Sequence, residues 1–203
     1  KAVRFPENGY HGEYVRELAT RVARAVPGVA DLETDRAISL CTERAAKILL
    51  EEIDSDLRAF GITFESWVSE RSLYGSGEVE AALTTLRAGG YLYEEGDAVG
   101  FRASDFGDEK DRILIRSTGE PTYFASDIAY HANKIRRGFH RLINIWGADH
   151  GGYIPRVKAA IKALGYDPEI LRVILLQLVR ILRGGVPVPM SKRTGEFVEL
   201  REV

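Results

Sequence analysis

The stretch LINIWGADHGGYIPRVKAAIKALGYDPEILRVILLQLVRIL, residues 142–182, decides how the rest of the chain is read. Leu142-Ile-Asn-Ile-Trp146 is a compact run of strand-forming residues that stops at Gly147. Residues 155–164 carry helical spacing and stop at Gly165, and a second apolar run occupies 173–182. That second run is too apolar for a surface element and is predicted as a buried strand, although periodicity alone also admits a buried helix. Strand, helix, strand in this order is the unit of a parallel sheet with crossover helices. The expectation is therefore an α/β fold whose ligands sit at the strand ends, near Trp146 and Leu182.

Working outward toward the start of the chain, residues 14–26 place Val15, Leu18, Val22 and Val26 at three-to-four spacing, a helix closed by Pro27-Gly28. A longer helix runs through Leu40, Ala45, Ile48, Leu49, Ile53 and Leu57 to a glycine stop at Gly61. Residues 62–68 alternate apolar and polar side chains and predict a half-buried strand. A short helix over 78–88 ends at Gly89-Gly90, and strands at 91–93 and 98–101 flank a Glu95-Gly-Asp97 hairpin turn. Residues 113–115 predict another strand, followed by a turn over 117–121 and a helix over 123–137.

Composition bounds the class. The 203 residues are 45% hydrophobic and 29% charged, enough for a core and too ordinary for collagen, disorder or a disulfide scaffold. No run reaches the roughly 18 apolar residues of a membrane span, and residues 1–10 lack a signal-peptide core, so a cytoplasmic protein without a membrane partner is expected. A single cysteine, Cys41, excludes an intrachain disulfide and is expected in the core; four histidines offer no structural zinc cluster, and no metal ligand is assigned. The formal charge of −2 hides a division. Residues 1–109 hold 12 basic and 21 acidic side chains, a net −9, whereas residues 110–193 hold 15 basic and 6 acidic, a net +9. The second part is a candidate surface for a polyanion, or simply a cationic coat.

Three constellations fall at element ends of this basic part. Tyr123 and Asp127 stand four apart, on one face of a helix, and a carboxylate beside a phenol suits a planar guanidinium; the plain alternative is an exposed acid near a packed aromatic. Gly147-Ala-Asp149-His150-Gly-Gly-Tyr153 follows the first strand. Its small residues admit a ligand to the backbone, Asp149 can accept from a ribose hydroxyl, and His150 can donate to a phosphate, unless the segment is only a glycine-rich turn. Gly184-Gly-Val-Pro-Val-Pro189-Met190-Ser191-Lys192-Arg193-Thr-Gly195 is a loop between glycine ends, whose cations Lys192 and Arg193 can neutralise a transferring phosphoryl group. A lone basic loop is also commonly just solvated.

Taken together, Tyr123-Phe-Ala-Ser-Asp-Ile-Ala-Tyr-His131, Trp146-Gly-Ala-Asp-His150, Gly152-Tyr-Ile-Pro-Arg156 and Met190-Ser-Lys-Arg193 resemble the class I aminoacyl-tRNA synthetases, and within them the bacterial arginyl-tRNA synthetase family. Gly9-Tyr-His-Gly-Glu-Tyr14 and Trp67-Val-Ser-Glu-Arg71 extend the resemblance over nearly the whole chain. The resemblance implies that Tyr123 and Asp127 recognise the arginine substrate. It places Gly147, Asp149, His150 and Met190 at the nucleotide, and Ser191, Lys192 and Arg193 in a catalytic loop over the triphosphate. It implies ATP with Mg2+ as substrate, arginine and tRNA(Arg) as partners, and formation of arginyl-adenylate followed by transfer to the terminal adenosine of the tRNA. The fold implied is the second half of a doubly wound, Rossmann-like nucleotide-binding domain at 106–203, after a helical and small-β insertion at 1–105.

The sequence departs from the family pattern in three places. The first nucleotide-binding motif, His-Ile-Gly-His or a close variant, is absent, so the chain is expected to be an internal fragment of the catalytic region. Pro189 replaces the usual first lysine of the loop, with Arg193 where serine is common. Gly151 stands where relatives usually carry a second histidine. Two other readings stay open at this stage: a synthetase-derived module that binds tRNA or a protein without catalysis, and another nucleotidyltransferase of related fold, which would not need Tyr123 with Asp127.

Overall fold

Two amphipathic helices make up most of the first of two units into which the chain divides, Lys1–Ser66 with Arg180–Val203; the second unit is Trp67–Val179. The computed structural model describes residues 9–191 and 197–203. Helix α1 (Glu13–Ala25) buries Val22, and α2 (Thr34–Ala59) buries Ile48. The Glu33 carboxylate caps α2 by accepting from the backbone N–H of Asp35 and Arg36, where the first-turn amides have no helical partner. At the other end Gly61, at φ +83°, lets its N–H reach the Arg58 carbonyl (3.0 Å) while the Ile62 N–H reaches that of Leu57 (2.8 Å). That is the left-handed helix stop expected from the glycine. Arg21 of α1 pairs with Glu52 of α2. Cys41, expected in the core, is only partly buried.

Residues 62–68 correct an expectation: they form no strand and are exposed throughout. Alternation predicts a strand only where a neighbouring strand takes the backbone hydrogen bonds, and among the described residues no strand pairs with this segment.

The second unit begins with α3 (Glu70–Gly75) and α4 (Glu78–Ala88). Strands β1 (Leu92–Glu95), β2 (Ala98–Phe101) and β3 (Arg112–Ile115) form an antiparallel sheet in that order, with Gly96 turning the first hairpin at φ +60°. Helix α5 (Tyr123–Arg136) then leads to β4 (Leu142–Gly147), α6 (Ile154–Ala163) and β5 (Leu171–Leu176). β4 and β5 pair in parallel, from Leu142 opposite Leu171 to Gly147 opposite Leu176, with α6 as the crossover. Among the described residues the fold is thus a mixed α/β one with one parallel and two antiparallel sheets, the last being the two-residue strands β6 (Leu182–Arg183) and β7 (Val186–Pro187) of the first unit.

The core of the second unit packs Val79, Leu83 and Leu86 of α4 against Phe101, Leu114, Phe124 and Ile128 and the alanines of α6. A satellite cluster of Leu142, Val157, Ile161 and Leu171 seats α6 on the parallel strands. Here too the structure differs from the sequence reading. β5 starts two residues earlier than predicted and stops at Leu176; the rest of the run is open, with Leu178 79% and Val179 89% exposed. Twelve residues from 171 exceed an ordinary strand, and the two-stranded sheet has no further neighbour to continue the pairing.

Candidate functional site at the carboxyl end of the parallel strands

Helix α5 brings the first constellation into place. Tyr123 is its first residue and stands 76% exposed, while Asp127, one turn on and on the same face, is half-buried. The Asp127 carboxylate does not wait for Tyr123. Its Oδ2 accepts from the Tyr153 hydroxyl at 2.7 Å, across 26 residues of sequence. Burial raises the Asp127 pKa above the ordinary carboxylate value, against the hydrogen bond from Tyr153, which lowers it.

Tyr153 closes the 3-10 turn (Ala148–Tyr153) that follows β4. Its ring meets Trp146 and Phe124 edge-on, each with centroids 5.9 Å apart, and the Arg156 guanidinium lies 4.5 Å above it. Burial and the Asp127 carboxylate push its hydroxyl pKa far above the usual phenol value, so it stays protonated and donates.

Arg156 is anchored in turn by the buried Asp108, which binds Arg112 through two hydrogen bonds of 2.7 and 2.8 Å and lies 3.9 Å from the Arg156 Nε. Burial alone would discourage ionisation of Asp108, yet the Arg112 bonds and the Glu109 N–H hold its pKa below the usual range.

Gly147, Asp149 and His150 occupy the end of β4 and the turn after it, as expected of a strand-to-helix loop. Asp149 and His150 are exposed and face each other at 3.6 Å. A side chain at Gly147 would crowd the Asp149 carboxylate, whose Oδ1 lies 2.5 Å from where the Cβ would stand. At Gly151 a Cβ would meet the Leu175 methyl at 3.2 Å, so a histidine there would require β5 to give slightly. Met190 and Ser191 belong to the first unit, where Met190 lines a groove of about 570 Å³ with Tyr14, Leu18, Ile53 and Phe197. Lys192 and Arg193 lie outside the described residues.

Sequence reasoning passed over Tyr153 as a site residue, and with it a buried network beneath Asp127. His131 Nδ1 faces the Asp127 carbonyl at 2.7 Å and its Nε2 faces the Asn144 amide at 2.9 Å, while Lys134 donates to the Asn144 Oδ1 at 3.3 Å. Burial drives the His131 pKa down to about 4. A neutral ring donating from Nδ1 and accepting at Nε2 satisfies both neighbours and ties α5 to β4. The His131 contact with the Asp127 carbonyl is an ordinary four-residue helical step, but those of His131 and Lys134 with Asn144 and of Tyr153 with Asp127 join residues 10 to 26 positions apart, beyond the reach of helical or strand spacing. Among the described residues no group of three or more His, Cys, Asp or Glu side chains is placed to hold a metal ion, and no helix is long and apolar enough to cross a membrane.

No family model matches the chain. Among curated proteins it is 52% identical over 204 residues to the arginine--tRNA ligase of Desulfosudis oleivorans, covering 100% of this chain and 37% of that protein. The arginine--tRNA ligase of Geobacillus kaustophilus is 48% identical over 199 residues, covering 98% and 36% respectively. The fold superposes with a TM-score of 0.86 on a Campylobacter jejuni crystal structure provisionally described as an arginyl-tRNA synthetase, at 39% identity over 100% of this chain and 43% of that one. The chain is a homologue of the arginine--tRNA ligases, matched over its own full length and over about 37% of theirs.

Proposed function

We propose that this chain is part of the catalytic region of an arginyl-tRNA synthetase, and that its own contribution is the recognition of arginine. The observation that carries the reading is the Asp127 carboxylate: half-buried, raised in pKa by that burial, and with its Oδ1 free of hydrogen bonds among the described residues. A carboxylate in that state is stabilised by a cation, and a planar fork with parallel N–H donors fits it better than a compact ammonium. Tyr123, one turn before it and open to solvent, supplies an aromatic face and a hydroxyl on the same side of α5. The position agrees with the general placement of ligands at the carboxyl ends of parallel strands. In this reading β4, α6 and β5 belong to the second half of a doubly wound nucleotide-binding domain at 106–203, with 1–105 as the insertion.

Similarity to the arginine--tRNA ligases supplies the chemistry of this reading. The arginine carboxylate attacks the α-phosphorus of ATP, a P–O bond to pyrophosphate breaks, and arginyl-adenylate forms. A hydroxyl of the terminal adenosine of tRNA(Arg) then takes the arginyl group, and AMP leaves. Magnesium enters with the nucleotide, as part of the substrate. Gly147, Asp149 and His150 would face the adenosine, with Met190 and Ser191 in the loop that carries Lys192 and Arg193 to the triphosphate. Lys192, with proline at 189, supplies most of that loop's charge to the transition state.

The test separates binding from chemistry in the longest gene product that carries this chain. Asp127→Ala is expected to raise the arginine KM on the order of a hundredfold, since it leaves the guanidinium without its counter-charge. Lys192→Ala is expected to lower kcat by roughly a hundredfold or more with little change in arginine affinity. Arginine affinity untouched by Asp127→Ala would overturn the recognition reading. Absence of any tRNA arginylation would favour a binding module, and nucleotidyl transfer that ignores arginine would favour a different transferase.

A further inference from the structure

We infer that Tyr153 is a positioning residue for arginine selection: by donating to Asp127 Oδ2 it fixes the plane of that carboxylate and leaves Oδ1 for the guanidinium. The inference rests on the arginine reading above and adds to it a residue outside the α5 face.

The geometry limits the alternatives. The ring of Tyr153 is packed by Trp146, Phe124 and the Arg156 guanidinium, which hold its hydroxyl 2.7 Å from Oδ2. An aspartate whose role was purely structural would fill both oxygens; Asp108, with two hydrogen bonds from Arg112 and one from the Glu109 N–H, does. Asp127 instead keeps one oxygen without a protein donor among the described residues, and that oxygen is not fully buried, so a donor arriving from solvent can reach it. Bidentate pairing with a guanidinium needs the carboxylate in a defined plane, whereas an ammonium tolerates rotation. A rigid tyrosine hydroxyl is a device for holding that plane.

The charges around Asp127 fit the same role. Glu70 of α3 disfavours its ionised form, while Lys134 of α5 and Arg156 of α6 favour it, and the Tyr153 hydroxyl adds a direct hydrogen bond to the anion. Glu70 is itself held off by the Ser126 hydroxyl, which donates to its Oε1 at 2.5 Å. Neither cation makes a hydrogen bond or ion pair with Asp127 among the described residues, so the cationic partner's place stays open. Removing the Tyr153 hydroxyl takes away a contact that lowers the Asp127 pKa, so the carboxylate ionises, and arginine binds, only at higher pH.

The experiment compares Tyr153→Phe, Asp127→Asn and the double variant in the longest gene product that carries this chain, by arginine titration calorimetry and by steady-state tRNA arginylation from pH 5 to 8. Tyr153→Phe keeps the ring packing. It is expected to raise the arginine KM about tenfold with kcat and the ATP KM within twofold, and to move the acid limb of arginine binding to higher pH. In the Asp127→Asn background the same change is expected to add nothing. A Tyr153→Phe protein that keeps the parental arginine KM and pH profile, while Asp127→Asn loses affinity, overturns the inference and spares the arginine reading. So does a Tyr153→Phe protein in which the arginine and ATP KM values both rise while thermal stability falls, since that is the pattern of a packing role. Unchanged arginine affinity in Asp127→Asn overturns both.

Discussion

At the scale of single residues, the buried histidine beneath Asp127 makes the fold sensitive to acid. His131 titrates near 4 in the folded chain because burial disfavours its charged form, whereas an unfolded histidine takes up its proton near 6.5. Between those values the unfolded chain binds more protons than the folded one. Stability therefore falls as the pH is lowered from about 6.5 toward 4, by on the order of 2 to 3 kcal/mol in all, and this contribution is flat above that window. His131→Gln should be less stable at pH 7 yet lose less on acidification; urea unfolding of both proteins at pH 7 and pH 5 measures the difference. An unchanged pH slope in the variant would show that His131 is not the titrating group.

At the scale of elements, the core that supports α5 is where substitution costs most. Phe101 of β2 is fully buried and stacks toward Phe106 and Phe124, so it joins the antiparallel sheet to the first turn of the helix that carries Asp127. Phe101→Ala is expected to cost about 3 to 5 kcal/mol, whereas Val68→Ala, in the exposed segment that joins no sheet among the described residues, should cost less than about 1 kcal/mol. Chemical denaturation checks both. The same contrast explains what the amino-acid order revealed of the fold. Residues 78–88 carry their own start, spacing and glycine stop, and the helix occupies those residues. Residues 62–68 and the far end of the 173–182 run depend on a neighbour for their backbone hydrogen bonds, and nothing in their local pattern says whether one exists. The candidate site follows the same division. Tyr123, Asp127 and the glycine-rich turn are legible from spacing and motif, while Tyr153 and His131 act across α5, β4 and the turn between β4 and α6, through contacts that no local period encodes.

At the scale of the whole molecule, the parallel pair of the second unit is covered, among that unit's described residues, on one face only. Leu142, Asn144 and Leu171 face the helices, while Ile143 and Ile145, 53% and 64% exposed, share the other face with Ile174 and Leu176. Parallel strands are ordinarily covered on both sides, and the matched relatives are far longer than this chain. The 203-residue chain alone is therefore expected to self-associate and to bind a hydrophobic dye, and Ile143→Lys with Ile145→Lys to abolish both at little cost in melting temperature. Sedimentation velocity and dye fluorescence decide the matter; a monomer that binds no dye would count against an uncovered face. The whole chain also holds only two tryptophans, Trp67 and Trp146. Because the indole of Trp146 abuts the ring that carries the Asp127 hydrogen bond, the protein contains its own optical probe. With Trp67 replaced by phenylalanine, the remaining emission would come from beside the proposed arginine site, and ligand arrival there could be followed in real time without a label.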